Sequence, residues 1–115
     1  MVVLNLTLQF IAPELRLELL QKVFDGLNKG AVLVLSEKFI DDNQASNNRM
    51  IQLHQAFKKA QGYSELEISQ KRTALENVLI PDSKHALENR LQQCGFSEIY
   101  ECFRCFNFIS YLAIK

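Results

Sequence analysis

Residues 2–35, VVLNLTLQFIAPELRLELLQKVFDGLNKGAVLVL, decide how this chain is read. Val2-Val3-Leu4 is a short apolar run of the kind found in a strand buried on both faces. Pro13, with Glu14 directly after it, suits the first turn of a helix: proline has no N–H to leave unpaired there, and a carboxylate favours the positive helix end. Leu17, Leu20, Phe24 and Leu27 then recur at steps of three, four and three, one stripe of an amphipathic helix, and Gly30 supplies a stop. Ala31 to Leu35 is a second continuous apolar run, again the pattern of a strand covered on both sides. Strand, helix and strand in that order predict a βαβ unit, two parallel strands joined by a right-handed crossover. The opening run Val2-Val3-Leu4 is therefore expected to lie inside a core.

A chain of 115 residues is one domain at most, able to bury roughly two-thirds of its unfolded surface. Hydrophobic residues make up 48% and charged residues 23% of it, values that fit a globular protein and not a disordered one. Thirteen basic residues balance thirteen acidic ones, so no net field attracts nucleic acid or anionic lipid. The N-terminus has no basic leader, and Asn5, Thr7 and Gln9 interrupt its apolar run, so it does not read as a signal peptide. No segment approaches the ~20 apolar residues of a membrane span. Three cysteines, an odd number without framework spacing, suit a reducing cytoplasm.

Beyond the βαβ unit, residues 40–48, IDDNQASNN, read as a loop. Met50, Leu53 and Phe57 mark a helix ending at Lys58-Lys59 and Gly62. Ser64 and Glu67 stand in capping-box register at the head of a further helix, broken by Pro81. Asp82 or Ser83 can cap the next, KHALENRLQQC, which Gly95 closes. SEIYECFRCFNF and ISYLAIK read as two strands forming an antiparallel hairpin at a sheet edge, turning near Phe106 to Phe108. Cys102 and Cys105, three apart on a strand, point to opposite faces and are expected to be buried structural thiols. His54 and His85 lie on separate helices with no supporting carboxylates, and His54 reads as partly exposed beside an apolar face. No phosphate or dinucleotide cradle is present. Asn5 follows a buried apolar run at the carboxyl end of a strand, where ligands bind in open α/β sheets; a turn or cap asparagine is the plainer reading. Arg72, in helix reach of Glu76 and beside a Lys71 that can pair with Glu67, reads locally as part of a solvated charged face.

VVLNLTLQFIAP, GLNKGAVLVLSEKF, GYSELEISQKRTALENV and CFNF together resemble the carboxy-S-adenosyl-L-methionine synthases, along almost the whole chain. The resemblance implies the C-terminal half of a Rossmann-like class I methyltransferase fold, residues 1–115 forming a single partial domain equivalent to the fourth strand onward. It implies an α/β architecture of a βαβ unit, further helices and a terminal antiparallel hairpin, with Val2 to Leu4 an interior strand whose neighbour belongs to the absent first half or another chain. The family converts S-adenosylmethionine and prephenate into carboxy-S-adenosylmethionine and phenylpyruvate for tRNA wobble-uridine modification, in the cytoplasm and as a homodimer, without itself binding nucleic acid or membrane.

Carried over residue by residue, the family's ligand-binding asparagine falls on Asn5 and its ligand-binding arginine on Arg72, with no catalytic residue or metal assigned. A guanidinium offers a planar fork that matches a carboxylate, so the resemblance raises both residues above their plain readings. The chain departs from the family where Ala31 replaces a second glycine after Gly30, where Gln55 follows His54, and where Ile109 stands for a glycine after CFNF, which puts the last turn in question. Two other functions fit the same residues: an inactive remnant serving as an oligomerisation or binding module, and part of an ordinary methyltransferase. The chain by itself is expected to be inactive.

Overall fold

The computed structural model describes all residues 1–115. In chain order it contains β1 (Val2–Asn5), a 3-10 turn (Leu8–Phe10), α1 (Pro13–Gly26), β2 (Val32–Ile40), α2 (Gln44–Ala60), α3 (Glu65–Leu75), β3 (Asp82–Ser83), α4 (Lys84–Cys94), β4 (Glu98–Cys105) and β5 (Phe108–Ile114). The sheet order is β1-β2-β5-β4, with β3 paired to the far end of β2. β1 runs parallel to β2, Val2 opposite Leu33 and Asn5 opposite Ser36. The expected βαβ unit is therefore present. β5 lies antiparallel between β2 and β4, so the terminal hairpin forms the other side of the sheet, with β4 outermost.

Strand alternation sorts the two faces of the sheet. Leu33, Leu35 and Phe39 of β2 and Ile109, Tyr111 and Ala113 of β5 point to one side and meet Leu20, Leu27, Leu87 and Leu91 of the α1–α4 layer in a single buried cluster. The opposite face, with Val3, Val34, Leu112 and Tyr100 in register, is only half-covered. Neither apolar run is covered on both faces as its composition suggested: Val2 and Leu4 are half-buried against the core while Val3 is 53% exposed. A parallel strand needs layers on both sides to be fully dry, and β1 here has one sheet neighbour and one layer.

Local chemistry explains most boundaries. Asn43 caps α2 by accepting from the Ser46 N–H at 3.0 Å, so the helix starts at Gln44 and the polar stretch 44–48 is helical, not the loop its composition indicated. Ser64 and Glu67 form the reciprocal capping box, with the Glu67 N–H donating at 3.1 Å and the Ser64 N–H at 2.7 Å. α3 ends at Leu75, six residues before Pro81. Ser83 caps α4 and Gly95, in the left-handed region, closes it.

Two further expectations change. The last turn consists of Phe106 and Asn107, with Phe106 at φ +50°; Ile109 is a buried strand residue, so the missing glycine does not touch the turn. Cys102 and Cys105 are exposed, and Cys94 is the buried thiol. Their strand is the outer edge, and a bulge between Glu101 and Phe103 breaks its alternation. No helix is long and apolar enough to cross a membrane.

Candidate functional site

The carboxyl ends of the parallel strands β1 and β2 define where a ligand would enter a sheet of this kind. Asn5 is the last residue of β1 and is exposed there. Directly after it Leu6 adopts φ +54°, and the chain turns so that three successive backbone N–H groups face one buried carboxylate. Thr7 and Leu8 donate to Glu37 Oε1 at 3.1 and 2.8 Å, and Gln9 donates to Oε2 at 3.2 Å. Glu37 sits on the core face of β2 at 2% exposure. Burial raises its carboxyl above the usual value, against the pull of the three N–H groups. The Gln9 side chain in turn accepts from the Lys38 N–H at 2.9 Å. The segment following Asn5 is thus clamped to β2, which holds Asn5 at the strand end.

A cleft of about 440 Å³ lies beside the end of β2, walled by α2 and α3 and floored partly by Phe39, Ile51, Ile68 and Leu75. Its cations come from three elements: Lys38 from β2, Lys58 from α2, and Lys71 and Arg72 from α3. None of the four takes part in an ion pair. The expected Lys71–Glu67 and Arg72–Glu76 pairs do not form; Glu67 is occupied by its capping box. Burial, then repulsion from Lys58 and Arg72, pushes Lys38 below the usual lysine range. Burial and then Lys71 do the same to Lys58. Half-buried His54 packs on the rings of Phe106 and Phe108, with centroids 5.5 and 5.3 Å away. Burial, followed by the charges of Lys58, Lys38 and Lys71, holds its imidazole below the usual value.

Arg72 is exposed and lines both this cleft and a second, open one of about 440 Å³ between α2 and α3. Asn5 lines neither. The structure therefore places the two expected ligand residues at separate points on the carboxyl side of the sheet, with Lys38 and its neighbours on the Arg72 side. Sequence reading missed the lysine cluster because its members are twenty and thirteen residues apart on three different elements. The one available signal was Lys38, a lysine directly before Phe39 at a half-buried position of β2.

Several solved structures share the fold. PigF with SAH matches 98% of this chain over 29% of its own, with a TM-score of 0.63 and 17% identity. The S-adenosylmethionine-dependent methyltransferase SibL, in its apo form, gives 0.63 and 18% over 99% of this chain and 30% of its own. An O-methyltransferase family 2 protein from Planctomyces limnophilus gives 0.64 and 15%, over 98% and 29%. The architecture is thus a portion of the methyltransferase fold. No protein-family model matches the chain.

Sequence relatives narrow the class. The chain is 58% identical over all 115 residues to the carboxy-S-adenosyl-L-methionine synthase of Actinobacillus pleuropneumoniae serotype 5b, covering 48% of that protein. It is 56% identical over 114 residues, 99% of the chain, to the same-named protein of Vibrio vulnificus, covering 46%. It spans about half the length of the curated relatives it matches. In sequence it is the counterpart of the C-terminal half of carboxy-S-adenosyl-L-methionine synthases.

Proposed function

We propose that this chain is the C-terminal half of a carboxy-S-adenosyl-L-methionine synthase, which converts S-adenosylmethionine and prephenate to carboxy-S-adenosylmethionine and phenylpyruvate. The product then serves tRNA wobble-uridine modification in the cytoplasm, through a partner enzyme. The observation that carries the reading is identity of 55–58% along the whole chain to proteins of that name. The zero net charge is in keeping with small-molecule ligands and no direct nucleic-acid contact, and the enzyme is proposed to work as a homodimer.

Within this reading Asn5 holds the nucleoside ligand at the end of β1 and Arg72 takes its carboxylate. The chemistry of the donors suits that ligand in part. Arg72 has no ion-pair partner, and its fork can give a carboxylate two charge-assisted hydrogen bonds. The rest of the ligand's shell falls to residues outside this chain. S-adenosylmethionine bound there supplies the sulfonium centre; these residues orient it. Arg72 also separates this reading from ordinary methyl transfer, whose ligand has no additional carboxylate to pair. The open edge of β1 favours a second reading, a binding or oligomerisation module.

Reconstitution tests the proposal. The chain is refolded with the complementary half of the Actinobacillus pleuropneumoniae relative, supplied with S-adenosylmethionine and prephenate, and assayed by mass spectrometry. Carboxy-S-adenosylmethionine is expected from the wild-type chain. Arg72→Ala is expected to lose retention of that product while keeping S-adenosylmethionine binding. No product, under conditions where the relative's own two halves make it, removes the proposal in favour of the module.

A further inference from the structure

We infer that Gln9 is a positioning residue for the nucleoside end of the site: its side chain takes the place of strand backbone in the gap between β1 and β3, and so fixes Asn5 at the carboxyl end of β1. This deepens the proposed function, on which it rests only in taking Asn5 to touch S-adenosylmethionine.

One edge of β2 carries two short parallel partners with a gap between them. β1 pairs along it from Leu33 to Ser36, and β3 pairs with Phe39 and Ile40. The last ladder bond on the β1 side runs from the Leu6 N–H to the Ser36 carbonyl, at 2.7 Å. Lys38 falls in the gap. The N–H that follows it, of Phe39, turns to the other edge and donates to the Asn107 carbonyl at 2.8 Å, so the Lys38 N–H faces the gap. It donates to Gln9 Oε1 at 2.9 Å. A side-chain amide oxygen thus does what a strand carbonyl would do there, and the N–H is not left unpaired. The gap opens at the carboxyl end of β1, where ligands bind in open α/β sheets.

Gln9 is 4% exposed, and its backbone groups are spent as well. Its N–H donates to Glu37 Oε2 at 3.2 Å, and its carbonyl accepts from the Ile80 N–H at 2.8 Å. One residue is therefore fastened twice to β2 and once to the segment that follows α3. Asn5 lies four residues back, across Leu6 at φ +54°. A side chain is crowded in that conformation, which persists only where the surroundings impose it. Here they impose it from both ends. The Leu6 N–H is held by Ser36, Thr7 Oγ1 donates to the Asn5 carbonyl at 3.2 Å, and the turn beyond is anchored by fully buried Leu8 and by Gln9. Glu37 holds the same turn through three N–H groups at once, so its loss unfastens the whole segment. The Gln9 side chain makes one bond across the gap, and its removal leaves the other fastenings in place. It is the part of the clamp that reaches Asn5 without taking the fold apart.

The test is S-adenosylmethionine binding by the reconstituted complex, measured by calorimetry. Gln9→Met keeps the length of the side chain and removes the acceptor; affinity is expected to fall about tenfold. Gln9→Glu keeps an acceptor oxygen and should recover to within about threefold of wild type. In an Asn5→Ala background, Gln9→Met should cost less than about twofold, because residues that act through one another are not additive. Leu87→Val, in the core, should lower the urea midpoint and leave affinity unchanged, which separates positioning from stability. In the 115-residue chain alone, the ¹⁵N order parameters of Asn5 and Leu6 should fall in Gln9→Met and hold in Leu87→Val. Full affinity in Gln9→Met, the same loss in both backgrounds, no recovery in Gln9→Glu, an equal loss in Leu87→Val, or unchanged order at Asn5 and Leu6 would each overturn the inference. A wild-type complex that binds no S-adenosylmethionine removes the proposed function and leaves the order parameters to decide whether Gln9 fixes Asn5.

Discussion

Glu37 is where one residue settles local geometry. Its place in the alternation of β2 puts it on the core face with Leu33, Leu35 and Phe39, and its two oxygens accept three backbone N–H groups from residues 7–9. Glu37→Gln keeps the shape but replaces one acceptor oxygen by an NH2, leaving at least one buried N–H facing another donor. Loss of about 1–3 kcal/mol in urea unfolding is expected, together with faster amide exchange at Thr7 to Gln9; a variant as stable as wild type would show that the clamp contributes nothing. The thiols give a second test at this scale. Cys94 is 4% exposed with its thiol raised by burial and then by Asp25, while Cys102 and Cys105 are exposed. Iodoacetamide should modify Cys102 and Cys105 in the folded chain and reach Cys94 only in denaturant. Protection of either edge thiol would mean that β4 is covered in solution.

Between elements, the junction of α1, β3 and α4 rests on one buried ion network. Arg16, fully buried, donates to the Ile11 and Ile80 carbonyls at 2.8 and 2.7 Å and pairs with Asp82 at 2.7 Å; Arg90 reaches the same carboxylate from α4 at 2.6 Å. Burial alone would raise Asp82, but Arg90 and Arg16 together outweigh it and hold the carboxyl below its usual value. A depressed carboxylate contributes stability that is complete above the unfolded value of about 3.9 and is lost as pH falls through the folded value. Asp82→Asn is therefore expected to cost about 3–5 kcal/mol at neutral pH, the range for breaking a buried pair from one side. The deficit should shrink once both proteins are compared at about pH 3; an equal deficit at both would assign the loss to packing. None of this was visible in the sequence, where Arg16 lies between Leu15 and Leu17 and Asp82 reads as a helix cap. What could be read was local: the βαβ unit from two apolar runs and a helical period, the Ser64–Glu67 box, the stops at Gly62 and Gly95. What could not were contacts made across 29 to 66 residues, such as Glu37 with Leu8 and Arg16 with Asp82, and the lysine cluster, because periodicity reports which face a residue takes and not which distant residue it meets.

At the scale of the whole molecule, the sheet is finished on one side and open on the other. α1 and α4 cover the core face, while the face bearing Val3, Val34, Leu112, Tyr100 and Phe103 has no helical layer over it, and Val3, Tyr100 and Phe103 stay more than half exposed. β1 adds an edge paired only to β2. The radius of gyration, 15.4 Å, and an extent of 47 Å along one axis against 25 and 24 Å compare with about 13 Å for a compact chain of 100 residues. α2 and α3, which bury no residue, account for part of that elongation. Two surfaces thus compete to bring chains together: the β1 edge with its apolar face, and the helical arm with Phe57 and Leu66 exposed. An unprotected edge templates pairing with another chain, and a central lysine is the usual means of preventing it. Val3→Lys puts that charge both on the edge and on the uncovered face. In sedimentation, the wild-type chain is expected to self-associate at high concentration and Val3→Lys to shift toward monomer, with Leu66→Asp having little effect. Association lost in Leu66→Asp and kept in Val3→Lys would move the contact to the helical arm, and a wild-type monomer at every concentration would show that the edge is closed without a partner.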